Sequence, residues 1–395
     1  MPNIRRRLER GTSVTMLKPA LRAAGAAAPS APERVAPGTA ETIAAPAAIG
    51  ERVEALDMLR GLMALAVAVY HLGAWTRAFS ESEARNAVIL LGIYSVQGFF
   101  VISGFCFFAL YRHTRFGWEA LRRFHVRRFL RIAPLYFLAM ALTYALDQPV
   151  LAELTWFRLA ENLTLTFGLV HPNHSAVLGG WSIGIEYVFY LGLPILLWVT
   201  RHAAALWLVT LLLMACAMPI TLGQLQATPE PARFNVYVAV ANHAFLFMLG
   251  ALIADARART ALRLPWALLL GLLVALCVWT GDGDGPIVLH TEVMCGVARI
   301  RYVALCTAIV ALCAVASKPS PALSYPFVWL GDLSYSVYLM HPFAHWGASR
   351  TLPADTHPSV QLLCSLGMTL LLASIAHRLV ERPAIAWGRR LSAAG

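Results

Sequence analysis

LDMLRGLMALAVAVYHLGAW, residues 56–75, reads as one uninterrupted apolar helix with an arginine and a histidine set into it. At 100° per residue, the eleven steps from Arg60 to His71 make three turns plus about 20°. The two side chains therefore share one face, roughly 16 Å apart along the helix axis. About 20 apolar residues cross the ~30 Å of a bilayer's hydrocarbon. Ionisable groups at that depth are costly and turn toward a bundle interior, where they mark a site or a pathway. Asp57, three residues before Arg60, is its expected partner. His71 comes out roughly 20 Å from the near surface, past the midplane. A snorkelling arginine with a hydrogen-bonded core histidine would leave the same trace, so the rest of the chain must decide.

Composition agrees with a membrane setting. Of 395 residues, 58% are hydrophobic and 13% charged, with a mean hydropathy of +0.62. A soluble domain needs about 25% charged residues to cover its surface, so a soluble globule is excluded. Apolar stretches recur near 55–76, 88–111, 129–147, 181–200, 203–221, 236–254, 264–280, 300–317, 327–347 and 359–380. We therefore expect an all-α, polytopic transmembrane bundle of about ten spans. A shorter stretch near 155–170, interrupted by Glu161, Asn162 and His171, would be a re-entrant piece or an eleventh span. Residues 1–50, rich in Ala, Pro and Arg, read as a disordered basic cytoplasmic tail. Residues 51–385 make the membrane domain, and 386–395 a short second tail.

The formal net charge of +11 is almost all arginine; Lys18 and Lys318 are the only lysines. In a polytopic chain that excess reads as a topology signal, and no nucleic-acid partner is expected. Residues 112–131 carry seven arginines against Glu119, and 255–263 carry Arg257, Arg259 and Arg263. The alternate loops hold acids instead: Glu81 and Glu83, Asp147 and Glu153, Asp282 and Asp284. The positive-inside bias then puts both termini in the cytoplasm of a cell with this protein in its inner (plasma) membrane. The seven cysteines have no metal-binding or disulfide spacing, and no metal ligand is assigned.

Four further segments carry polar groups at depth. QGFFVISGFCFFAL, residues 97–110, holds Gln97, Ser103 and Gly104; small residues there also suit close helix packing. RRFLRIAPLY, residues 127–136, brings Arg128, Arg131 and Tyr136 to a helix mouth around Pro134, and arginine forks suit phosphate. GGWSIGIEYVFYLGLP, residues 179–194, repeats Ser182, Glu186 and Tyr190 on one face. GDLSYSVYLMHPFAHW, residues 331–346, repeats Tyr335, Tyr338 and His341 every three residues. By the 1.5 Å rise, His71, Glu186 and His341 fall at similar heights, with Arg60, Arg128 and Arg131 below them at the inner mouth.

In this order the motifs resemble the membrane-bound acyltransferase 3 family, which includes bacterial enzymes that O-acetylate surface carbohydrates. The matching elements are Arg60-x10-His71, FFVISGF at 99–105, RFLRIAPLY at 128–136, WSIGIEYVFY at 181–190, LSYSVYLMHP at 333–342 and Glu381-Arg382-Pro383. The resemblance implies that cytoplasmic acyl-CoA, usually acetyl-CoA, acylates a hydroxyl of a carbohydrate or glycolipid acceptor outside, with no permanently bound cofactor. A C-terminal extracytoplasmic transferase domain, frequent in the family, is not expected within these residues. His71 is the expected general base, helped by Arg60 and Glu186. Arg128, Arg131, Tyr136 and Ser103 are the expected coenzyme A contacts; Ser182, Tyr190, Tyr338 and His341 are the expected acceptor contacts. A proton-coupled transporter or exporter is the alternative, since membrane His, Glu and Arg also build proton relays.

Overall fold

The computed structural model describes residues 52–80, 84–114, 116–146, 154–230, 232–266, 268–273 and 293–392. The expected N-terminal tail and the second half of the expected span at 264–280 lie outside the described residues. The described long apolar stretches form helices because, in lipid, only a helix or a closed barrel satisfies its own backbone. In chain order these are α1 (Glu54–Thr76), α2 (Arg85–Tyr111), α3 (Trp118–Leu146), α4 (Trp156–Thr164), α5 (Phe167–Val170), α6 (Trp181–Val199) and α7 (Ala203–Pro219). They are followed by α8 (Ala232–Tyr237), α9 (Ala244–Arg259), α10 (Gly296–Ala314), α11 (Pro321–Asp332), α12 (Ser334–Thr351) and α13 (Pro358–Ala376). No strand occurs among the described residues, only a parallel bridge between Leu264 and Ala316.

Among the described residues seven helices are long and apolar enough to cross a membrane: α1, α2, α3, α6, α7 extended to Ala227, α10, and α13 extended to Leu391. Seven of the ten expected spans thus meet that criterion. Two others are broken rather than continuous. The stretch at 236–254 is cut after Tyr237, whose carbonyl accepts from Asn242 Nδ2 (2.9 Å) and from the His243 ring (2.7 Å). Side chains that capture a helical carbonyl compete with continuation of the helix. The stretch at 327–347 turns at Leu333 (φ −83°, ψ −7°) between α11 and α12, in the sparsely populated bridge region. The piece at 155–170 is α4 and α5, too short to span. The last residues, expected as a tail, stay helical to Leu391, and Arg127 Nε donates to Ser392 Oγ across 2.6 Å.

Helix α1 sits inside the bundle, packed by α2, α10, α11, α12 and α13. Its contact with α11 is backbone on backbone: a Cβ on Gly331 would fall 2.2 Å from the Asp57 carbonyl oxygen. Helices α2 and α9 meet in the same way. A Cβ on Gly104 would fall 1.9 Å from Phe247 O, and one on Gly250 would fall 2.0 Å from Val101 O. Close approach through small residues is how helices associate where lipid and side chains are equally apolar. By contrast, Leu208, Leu211 and Leu212 on α7 are each more than half exposed, as an acyl-chain solvent allows.

The start of α1 and the ends of α2 and α9 lie at one arginine-rich end of the bundle. Arg112, just past α2, and Arg259 both donate to Asp255. Burial would raise the Asp255 carboxyl, but the Arg259 and Arg112 bonds outweigh it and hold it below the ordinary carboxylate range. Arg52 bonds Asp57 and also Asp332 (2.8 Å), tying α1 to α11.

The glycine contact sets a measurable expectation. Gly250→Ala should destabilise the detergent-solubilised protein by about 1–3 kcal/mol, the usual cost of overpacking. Gly192→Ala, where an added Cβ meets nothing within 4 Å, should be neutral. Thermal unfolding of the two variants against the native chain checks the pair; equal melting temperatures would remove the close contact.

Candidate active site

The expected face of α1 is the one turned inward. His71 lines a cavity of about 380 Å³, together with Tyr70, Ser175, Trp181, Tyr237 and Tyr338. Arg60 lines a smaller chamber of about 70 Å³ with Ser103, Ser182, Glu186, Tyr335 and Tyr338. Val96 and Tyr338 wall both spaces, so arginine and histidine open onto adjoining parts of one interior.

Helix α12 delivers His341, 1% exposed, directly onto His71. His71 Nδ1 and His341 Nε2 lie 2.9 Å apart, and Trp75 stacks on both rings. The tautomers follow from the bonds. His341 Nδ1 faces the Val337 carbonyl at 3.4 Å, an acceptor only, so the proton sits on His341 Nδ1. His341 Nε2 then accepts from His71 Nδ1–H, which leaves Nε2 as the basic nitrogen of His71. Two histidines expected at one height are in fact a hydrogen-bonded pair, with the second oriented by its own helix backbone.

Glu186 is not brought to His71. Its Oε1 accepts from Ser103 (2.8 Å) and from Tyr190, one helix away in Arg60's chamber. The i, i+4 spacing of Glu186 and Tyr190 is therefore an intrahelical bond, while Ser103 supplies the link from α2. Ser182, expected at the acceptor, lies 2.9 Å from the Tyr338 hydroxyl, and both oxygens lie within hydrogen-bond distance of Gly179 O, so one hydroxyl donates to the carbonyl and the other to its neighbour. These two groups brace the loop before α6 and also wall the chambers.

Asp57, expected to pair with Arg60, is taken by Arg52. Arg60 has no hydrogen bond or ion pair among the described residues. Arg131 likewise makes none there, although the charges of Glu186 and Glu381 act on it. The Cys106 thiol feels Arg60, Arg128 and Arg131 together, so the three expected arginines do converge. Arg128 is held differently from the other two. Its guanidinium lies 4.5 Å from the Phe107 ring centre, with Tyr111, Phe124 and Tyr190 within 6 Å, and Nη2 donates to Tyr111. Tyr136 lies apart from them: fully buried, its hydroxyl meets Asn162 Oδ1 and Ser175 Oγ (3.1 Å). It pins α3 to the loop that walls the cavity.

A second buried network escaped the sequence reading. Arg299, 1% exposed, donates from Nη2 to Asn242 O (2.8 Å) beneath Tyr237. Tyr237 in turn takes a bond from Gln97 (2.6 Å) and lines the cavity. An arginine one residue before the apolar run at 300–317 was the available signal.

Residues 53–378 match a protein family described as an acyltransferase domain. Two curated relatives match at low identity. Peptidoglycan O-acetyltransferase OatA of Listeria monocytogenes is 25% identical, covering 84% of this chain and 55% of the relative. The "Putative peptidoglycan O-acetyltransferase YrhL" of Bacillus subtilis is 24% identical, covering 84% and 54%. The chain thus spans about half the length of the relatives it matches. No solved structure matches. With a family match over most of its length, laid on the interior that holds Arg60 and His71, this chain belongs to the acyltransferase 3 family.

Proposed function

We propose that this protein moves an acyl group, acetyl in the first instance, from cytoplasmic coenzyme A to a hydroxyl of a carbohydrate acceptor on the other side of the membrane. The names of both relatives make peptidoglycan the acceptor to test first. The observation that carries the reading is the His71–His341 pair at a cavity wall, with Arg60 in the adjoining chamber. Coenzyme A is an anionic nucleotide on a long thin arm, and this interior offers cations at one end and a base beyond them.

In this mechanism Arg60 and Arg131, which have no fixed anionic hydrogen-bond partner among the described residues, hold phosphate or the thioester oxygen. The ring-covered faces of Arg128 leave only the edge of its fork for an anion. The acceptor hydroxyl gives its proton to His71 Nε2 while its oxygen forms the new C–O bond. The thioester C–S bond breaks, and the imidazolium returns the proton to the departing thiolate. His341 is a positioning residue: it holds the His71 tautomer and gains strength as an acceptor when the His71 ring becomes positive. Glu186, with Ser103 and Tyr190, supplies a negative counterpart that keeps the arginine chamber from accumulating unbalanced charge.

His71→Ala, reconstituted in nanodiscs with radiolabelled acetyl-CoA and peptidoglycan fragments, should lose about 10²–10⁴-fold in label transfer, the usual scale of general-base catalysis. It should still bind acetyl-CoA; normal turnover would remove His71 from the chemistry. The His341 series separates positioning from folding. His341→Leu should lower kcat by about 100-fold with little change in KM. His341→Gln, whose carbonyl can still accept from His71 Nδ1–H, should recover a good part of it. Equal activity in the two variants would contradict the positioning role.

A further inference from the structure

Glu161, His171 and His174 form a cluster away from the histidine pair, on the short elements between α3 and α6. Glu161 comes from α4 and is 7% exposed; His171 precedes the single turn at Pro172–His174 and His174 closes it. His171 Nδ1 lies 2.9 Å from Glu161 Oε1, and His174 Nδ1 lies 2.8 Å from Oε2. The imidazoles stack with centres 4.4 Å apart and planes 14° from parallel. One ligand atom from each of the three residues falls within 4.8 Å of the others.

A buried carboxylate is costly unless it is paired, yet among the described residues Glu161 has no lysine or arginine partner, only the two imidazoles. Neither proposed chemistry nor packing uses the cluster. Two imidazoles with one carboxylate are a donor set suited to a borderline divalent ion.

We propose that Glu161, His171 and His174 bind one divalent transition-metal ion, zinc by the nature of its donors. A zinc ion sits about 2.0–2.1 Å from such ligands. In tetrahedral geometry that spaces the donors about 3.3 Å apart, so the three ligand atoms, which lie within 4.8 Å of one another, need to draw together by no more than about 1.5 Å. Each ring changes tautomer, and the ion replaces two hydrogen-bonding protons. Three protein ligands leave one position for water or a substrate oxygen. The ion staples α4 to the 171–174 turn. The next residues along, Asn162 and Ser175, hold Tyr136, while Asn173 and Ser175 wall the large cavity. Metal binding therefore sets the shape of that wall.

The test needs no activity, so it stands or falls apart from the acyl-transfer reading. The full chain, stripped with chelator and held in nanodiscs, is titrated with zinc alone, and then with cobalt to read the visible absorption of a tetrahedral site. One saturable equivalent is expected. Affinity should fall about 100-fold or more in His171→Ala/His174→Ala and in the milder Glu161→Gln, and stay unchanged in His357→Ala on another loop. Native protein without a saturable equivalent overturns the proposal, whatever becomes of the variants. So does binding that survives in Glu161→Gln and the double variant alike, which would leave the histidines as proton-charged partners of Glu161 only.

Discussion

The hydrogen bond between His71 on α1 and His341 on α12 is the contact on which the site's geometry turns. A lone imidazole in an apolar bundle could adopt either tautomer and several rotamers. Here the Val337 carbonyl sets the proton on His341, and His341 sets the proton on His71. The order runs outward from helix backbone to basic nitrogen. It holds only while α1 and α12 keep their spacing, so the glycine contact of Gly61 and Gly331, which seats α1 on α11, belongs to the site as much as to the fold.

Around that pair, charge is distributed by availability. Asp57, Asp255 and Asp332 are engaged by arginines that hold helix ends together. Among the described residues Arg60 and Arg131 have no hydrogen-bonded acid, and Glu186 is bound by hydroxyls instead. An anion entering from the arginine-rich end would meet cations whose desolvation cost is already met by the fold, which is the meaning of a preorganised site.

Much of this could be read from residue order. Periodicity on 56–75 put Arg60 and His71 on one face, and the 1.5 Å rise put His341 at the same height, where the structure joins it to His71. The arginine convergence followed from charge placed at apolar boundaries. What could not be read were choices among partners distant in sequence. Asp57 went to Arg52 rather than Arg60 because Arg52 can also reach Asp332, a residue 280 positions away. Tyr136 went to Asn162 and Ser175, which depends on where a short outer piece folds back. The breaks near Asn242 and Leu333 were hidden because hydropathy averages over a window, whereas a captured carbonyl ends a helix at a single residue. Arg299 was lost for a related reason: burial depends on the neighbouring helices.

The central claim is that a nucleotide thioester enters from the arginine end and presents its carbonyl beside His71. Electron cryo-microscopy of the nanodisc-embedded protein with a non-transferable acetyl-CoA analogue tests this most directly. The expected result is phosphate density against Arg60 and Arg131, the acyl carbonyl in the cavity lined by His71, and the two histidines still in contact. Nucleotide density on another face, or an acyl end sealed off from His71, would contradict it.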